Sequence, residues 1–446
     1  MTLWLRSNRR KARRVPQSNR GYPKTMASAA ATSMTPLDRA HFVAWYRANR
    51  AQSRDLFDRV DPRAYEMRGI PLRHPPVFYE GHIPAFSFNK LVRETLGRPS
   101  IDAEFERLFE RGIDPADTAA AAAHARNGWP SREVVQAFGA RCDAAVLDAL
   151  ATAEFEDRGH AAWTILEHEP MHHETFAYIL HRLPLDRKTA PAGYRTPEEM
   201  PLENAPLTVE IAAGTATIGL RRAEAPFGWD NEFEETTLTV GAFECDDLPV
   251  TNAQWLEFVR AGGPVPSFWI EERGGFRQLG AWGMFPLLGS APVWVSNEQA
   301  RSYAAWRGRR VMTEAEYHRA AFGTPQGEER RYPWGDEKPA ARHGNFGWQS
   351  WDVAPAGAYP AGASAWGVHE LIGNGWEHTS TPFAPLAGFR PHASYPQYSA
   401  DFFDGKHYVV KGASPVTACE LVRRSLRNWF YGDYPYLYAK FRTVSG

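Results

Sequence analysis

Two histidines stand four residues apart in His168-Glu-Pro-Met-His172. On a helix that spacing stacks both imidazoles on one face, so both can reach one metal ion. They continue an apolar stripe through Thr164, Thr175, Phe176, Ile179 and Leu183, which turns them toward an interior. Two histidines do not complete a site. The best third ligand is His82, in Phe78-Tyr-Glu-Gly-His82-Ile-Pro-Ala-Phe86, on the apolar side of its own helix. Imidazole suits iron, zinc, copper and nickel alike. Three neutral donors leave room on the ion for O2 and a soft sulfur or selenium anion. The plainer alternative is a histidine pair on a helix surface that binds nothing. Glu174, two residues beyond His172, is a candidate acceptor to orient an imidazole. His173 and His181 fall off the ligand face and read as surface or packing residues. Pro170 lies between the two ligands, removes a backbone donor and predicts a kink there.

The elements that must position these residues are helical. Thr35-Pro36-Leu37-Asp38 has the chemistry of a helix start: a cap, proline at the first helical position and an acid in the first turn. Helical spacing follows through Phe42, Trp45 and Tyr46. Further helical stretches cover 77–96, 103–111 and 161–183, and Val134, Val135, Phe138, Val146 and Leu147 mark another apolar stripe. Residues 34–185 therefore read as an antiparallel helix bundle. Prolines 184, 191, 197, 201 and 206 make 186–206 a linker by composition. Beyond it the character changes. Leu207-Thr-Val-Glu-Ile211 and Thr236-Thr-Leu-Thr-Val240 alternate as strands do. Helices are expected at 252–261 and 297–307, and a short one opens at Thr313, whose partner three residues on is Glu316, a capping box. The remainder, within 207–446, is rich in glycine, proline and tryptophan, with little regular structure.

The totals narrow the function classes. With 446 residues, two domains are expected. A net charge of -1 gives no electrostatic case for nucleic acid or membrane partners. No apolar run approaches the roughly 18 residues of a spanning helix. The 3 cysteines, Cys142, Cys245 and Cys419, are far apart and odd in number, which fits a reducing, cytoplasmic setting rather than a disulfide framework. Residues 1–33 carry Arg6, Arg9, Arg10, Lys11, Arg13, Arg14, Arg20 and Lys24 before any acid. They read as a disordered extension, or an over-extended start with Met26 or Met34 as the real one. The functional alternative is a targeting or anion-binding arm.

The order of these features resembles the ergothioneine-type sulfoxide synthases, in which a DinB-like four-helix bundle is fused to a domain similar to the formylglycine-generating enzyme, a C-type-lectin-like mixed fold. Several segments of the second half are similar to the family's: Asp247-Leu-Pro-Val-Thr-Asn252, Arg310-Val-Met-Thr-Glu-Ala-Glu-Tyr317, Tyr332-Pro-Trp-Gly-Asp336, Gly373-Asn-Gly-Trp-Glu377 and Leu426-Arg-Asn-Trp429. The likeness runs from about residue 40 to 446 and implies an α+β, multidomain chain. It puts His82, His168 and His172 at the positions of the three iron(II) ligands, with O2 as co-substrate. It puts Tyr395 on the catalytic tyrosine and Tyr398 on a nearby substrate-contacting one. A phenol there can supply a proton or hydrogen atom and steer oxidation toward bond formation between carbon and the chalcogen. Asn428 and Trp429 fall on positions that hold hercynine, the trimethylated histidine. A quaternary ammonium is well served by aromatic faces, which Trp429 and Phe430 offer.

The departures point further. Family members using gamma-glutamylcysteine hold that thiol with arginines on the third helix and an Asp just after the Asn-Trp pair. Here Phe430 follows Trp429, Ile113 stands at one of the arginine positions, Met171 replaces a glutamine between the paired histidines, and Lys411-Gly-Ala-Ser414 stands for the usual Arg-Gly-Gly-Ser. This pattern is similar to the selenoneine synthase branch, which implies hercynine and a selenosugar as small-molecule substrates and a monomer or weak dimer. The alternatives are a sulfoxide synthase using cysteine or gamma-glutamylcysteine, a zinc thiol transferase of the DinB type, and a lectin-like binding module without catalysis. A formylglycine-generating activity needs a cysteine pair near the C-terminus, where only Cys419 stands.

Overall fold

The computed structural model describes residues 38–110, 128–155, 159–202, 206–223 and 225–446. The calls on residues 1–33, Thr35 and Ile113 lie outside the described residues. Residues 38–446 form one compact unit.

The first half is helical. Helix α1 (Arg39–Asp58) is capped by Asp38, whose carboxylate accepts the His41 amide at 2.9 Å. Asp38 is thus the cap itself rather than a first-turn acid. Helix α2 (Pro76–Ser87) begins on a proline and is buried along its whole length. It continues as a π-helical stretch, Phe88–Thr95. The short α3 (Ala103–Leu108) is capped by Asp102. Two long helices follow, α4 (Arg132–Thr152) and α5 (His160–Arg182), and α5 runs on through Pro170. Helix α2 packs on α4 and α5, and α1 packs on the same two.

The second half is mixed. Strand β1 (Thr208–Ile211) pairs antiparallel with β4 (Phe243–Asp246), and β2 (Gly214–Ile218) with β3 (Thr236–Val240). Helices α6 (Asn252–Arg260), α7 (Asn297–Trp306) and α8 (Glu314–Phe322) all start with capping boxes. At α8 the Thr313 amide reaches Glu316 at 2.7 Å, and the Glu316 amide returns to the Thr313 hydroxyl at 3.2 Å. A second sheet sets the floor of the site. In it β5 (Gly375–Pro382) pairs with β6 (His407–Ala413), and β6 pairs with β7 (Asn428–Tyr431). Hydrophobic packing beneath this half centres on Tyr317, Phe322, Phe346, Leu371 and Val444.

The proline-rich stretch at 186–206 is fastened at several points. The Lys188 ammonium caps the C-terminus of α5 through the carbonyls of Leu180 (2.7 Å) and His181 (2.8 Å). The Tyr194 hydroxyl donates to Asp352 at 2.7 Å. His181 is an interior packing residue, bonded to the Tyr438 hydroxyl (2.7 Å) and the Leu279 carbonyl (3.0 Å). His173 is buried against Ser53 at 2.8 Å.

Candidate active site

The three predicted histidines converge. His168 and His172 project from one face of α5, and His82 meets them from α2. One ring nitrogen from each lies within 4.8 Å of those of the other two. His172 Nε2 is 3.0 Å from His168 Nε2 and 3.3 Å from His82 Nε2. The Nδ1 of His82 sits 2.7 Å from the Phe109 carbonyl. That oxygen can only accept, so the proton is on Nδ1 and the Nε2 lone pair faces the other rings. Gly81 permits this contact, because a Cβ there would lie 2.5 Å from the Phe109 ring.

Burial keeps all three rings neutral. It lowers His82 to about 4. It also pushes His168 and His172 well down, with neighbouring histidines adding to the shift. The Nδ1 atoms of His168 and His172 are buried without a hydrogen-bond partner among the described residues. Nitrogens held about 2.0–2.1 Å from one ion would be spaced about 3.0–3.4 Å apart. Two of the three pairs, at 3.0 and 3.3 Å, have that spacing, and all three ligand atoms lie within 4.8 Å of one another, so the imidazoles could draw in around a shared transition-metal ion. Aromatic faces seal the cluster: Phe86 stacks on His168 at 3.5 Å and Phe78 on His82 at 5.1 Å.

A cavity of about 220 Å³ opens from His168 and His172. Met171, Tyr395, Tyr398, Asn428, Trp429 and Phe430 line it, so the structure brings the predicted substrate residues to the same space as the histidines. The Tyr395 ring lies 6.4 Å from that of His168 and edge-on to the Phe86 ring at 5.4 Å. Tyr398 stacks on Trp229 at 4.1 Å and its hydroxyl is 3.9 Å from the Met171 sulfur. Burial raises its phenol well above the usual range. Trp429 lies flat on Phe383 at 4.3 Å and edge-on to Tyr398. Asn428 turns its carbonyl oxygen to the Trp429 amide at 2.9 Å.

Glu174 departs from the expectation. Its carboxylate accepts from Trp376 Nε1 (2.6 Å), Ser414 (2.6 Å), Thr417 (2.8 Å) and Tyr178. None of these donors is an imidazole. The Nδ1 of His82 is on the Phe109 carbonyl, and those of His168 and His172 have no hydrogen-bond partner among the described residues, so Glu174 orients none of the three rings. It ties α5 to the second half instead.

Sequence reasoning missed other cavity residues. Arg73, in the loop before α2, lines the wall and donates to the Tyr434 hydroxyl at 3.3 Å. Phe402, His407 and Tyr431 line another part of it. Arg73, Phe402 and His407 follow no period and lie in no recognisable motif, while Tyr431 ends the strand that begins at Asn428. Lys90 lies 5.7 Å from the centre of the Tyr395 ring. It falls four residues after Phe86 and eight after His82, a helical stripe that the sequence does show.

Residues 193–446, more than half of the chain, match the family model described as a sulfatase-modifying factor enzyme 1-like domain. The hercynine oxygenase of Mycolicibacterium smegmatis is 33% identical over 326 residues, covering 67% of this chain and 74% of that protein. The chain belongs to the hercynine oxygenase family. The Mycobacterium tuberculosis hercynine oxygenase is 38% identical over 239 residues, 49% of this chain and 55% of its own length. Ergothioneine biosynthesis protein 1 of Schizosaccharomyces pombe is 29% identical over 427 residues, 84% of this chain and 52% of that protein. The chain thus spans about half the length of two of these relatives.

Proposed function

We propose that this chain is an iron(II)-requiring oxygenase that joins a sulfur donor to hercynine, with the helical half serving as a DinB-like bundle. One observation carries the reading: three neutral, converging imidazoles open onto the same cavity as Tyr395, Tyr398 and Trp429. The names of the relatives supply the substrate, and their ergothioneine pathway the element. Iron held by His82, His168 and His172 would supply one-electron chemistry with O2 and a binding position for a soft anion. In the net reaction one oxygen of O2 stays on sulfur. The other leaves as water with the hydrogens of the imidazole C–H and the donor S–H.

The protein's own residues prepare that reaction. Trp429, Phe402 and Phe430 offer aromatic faces to a quaternary ammonium and exclude water. Asn428 keeps its amide N–H groups for a substrate acceptor while its oxygen is held by the Trp429 amide. Tyr395, whose ring lies 6.4 Å from that of His168, would hold or deliver a proton there. Arg73 puts a guanidinium in the wall, suited to the carboxylate of a cysteine-type donor.

A second reading has its own support. Phe430 and Met171 line the cavity where an acidic and an amide side chain would serve a thiol peptide. They give a softer, less charged wall that suits a selenosugar and a selenoneine-forming reaction. The test is anaerobic, iron-loaded protein with hercynine and, in parallel, cysteine, gamma-glutamylcysteine or a 1-selenosugar, followed by O2 and mass spectrometry. A hercynine–sulfur adduct from the thiols supports the first reading. Turnover with the selenosugar alone supports the second, and no adduct with any donor overturns both.

A further inference from the structure

The segment that carries Tyr395 and Tyr398 has neither helix nor strand to hold it. Between His392 and Ser399 it folds as two successive turns, with the Tyr395 amide on the His392 carbonyl (3.2 Å) and the Tyr398 amide on the Tyr395 carbonyl (3.0 Å). Both ends of this segment reach one carboxylate. Asp230 accepts the backbone amide of His392 at 3.2 Å through one oxygen and the Ser399 hydroxyl at 2.5 Å through the other. Asp230 is 2% exposed and Ser399 fully buried.

The residues beside Asp230 anchor it in turn. Trp229 stacks on Tyr398 and donates through Nε1 to Glu167 at 3.0 Å. Glu167 immediately precedes His168 on α5. Glu232 is joined to Arg423 and Ser425. The turn at 229–232 therefore connects the ligand helix to the tyrosine segment through buried polar contacts.

We propose that Asp230 is a positioning residue that sets Tyr395 against the three-histidine site by stapling both ends of its loop. The inference rests on the role given to Tyr395 above. A displacement of about 1 Å in a reacting group costs up to about 100-fold in rate. Loosening the staple therefore lowers the coupled product and lets the donor be oxidised alone.

The test compares full-length, iron-loaded Asp230→Asn, Ser399→Ala and Tyr395→Phe with the parent chain. Amide hydrogen exchange across 390–400 is measured with the ratio of coupled product to oxidised donor. Asp230→Asn keeps size and one acceptor, and Ser399→Ala removes only one end of the staple, so the two variants perturb the loop to different degrees. The expected result is exchange of the His392 amide accelerated about tenfold or more. The coupled fraction falls with it, while iron stoichiometry is unchanged. Parent-like exchange and parent-like product ratio in folded Asp230→Asn or Ser399→Ala overturn the proposal. If Tyr395→Phe alone diverts the product, the staple is wrong and the tyrosine reading stands. If the loop loosens but neither it nor Tyr395→Phe alters the product, the tyrosine reading falls.

Discussion

Each of the three histidines contributes a lone pair that burial prevents from being protonated. Replacing His168 by Ala removes one of three donors, and iron affinity should fall by two orders of magnitude or more, about 3 kcal/mol. Anaerobic iron titration reads this directly, and stoichiometric binding at parent affinity would refute the assignment. Tyr395→Phe keeps the ring against Phe86 and deletes the hydroxyl. The expected outcome is loss of coupled product with continued oxidation of the donor, read by mass spectrometry. An unchanged product yield would take Tyr395 out of the chemistry. The His168–His172 pair was legible in the sequence because spacing of four on a helix is a geometric statement, whereas His82 was picked from the apolar side of its own helix and by family resemblance. Tyr395, Asn428 and Trp429 became legible only through family resemblance, since loop residues have no period. Glu174 was misread because its four donors come from Tyr178, Trp376, Ser414 and Thr417, three of them about 200 or more residues away in sequence.

Helix α5 is the element on which the account turns, and three buried glutamates fix it. Glu169 meets Arg50 (2.9 Å) and Ser53 on α1. Glu167 meets Arg423 (2.8 Å), which also holds Glu232. Glu174 meets the second half, as described above. Arg423→Met leaves two buried carboxylates without their cation and should cost about 3 kcal/mol of stability, the lower end for a broken buried pair because Arg423 is partly exposed. Urea unfolding measures the loss, and a change below about 0.5 kcal/mol, the range of ordinary surface substitutions, would mean the network is dispensable. At this scale the helices and the capping box at Thr313 and Glu316 could be read from the sequence, because caps and apolar stripes are local. The contacts that lock α5 could not, since each ion pair links residues far apart in the chain.

For the whole molecule, acid is the condition that exposes how much is held neutral inside. Burial lowers His378 to about 4 and His392 to about 3, against 6.5 for a free imidazole. An unfolded chain takes up protons at these positions below about pH 6.5 while the folded chain does not. Stability is therefore full above about pH 6.5 and declines as pH falls toward 4. Urea unfolding at pH 7, 6 and 5 checks the sign, and stability that rises over this range as acid is added contradicts it. The change of character near residue 206 was visible in composition. The lining of the cavity beside the histidines was not, because Arg73, His407 and Tyr434 come to it only through the fold. The most direct test of the central claim is a single-turnover measurement on iron-loaded protein with hercynine and gamma-glutamylcysteine, run beside the zinc-loaded form. The account predicts an O2-dependent hercynine–sulfur adduct with iron and none with zinc. Equal product with zinc, or no adduct with iron and any donor, would contradict it.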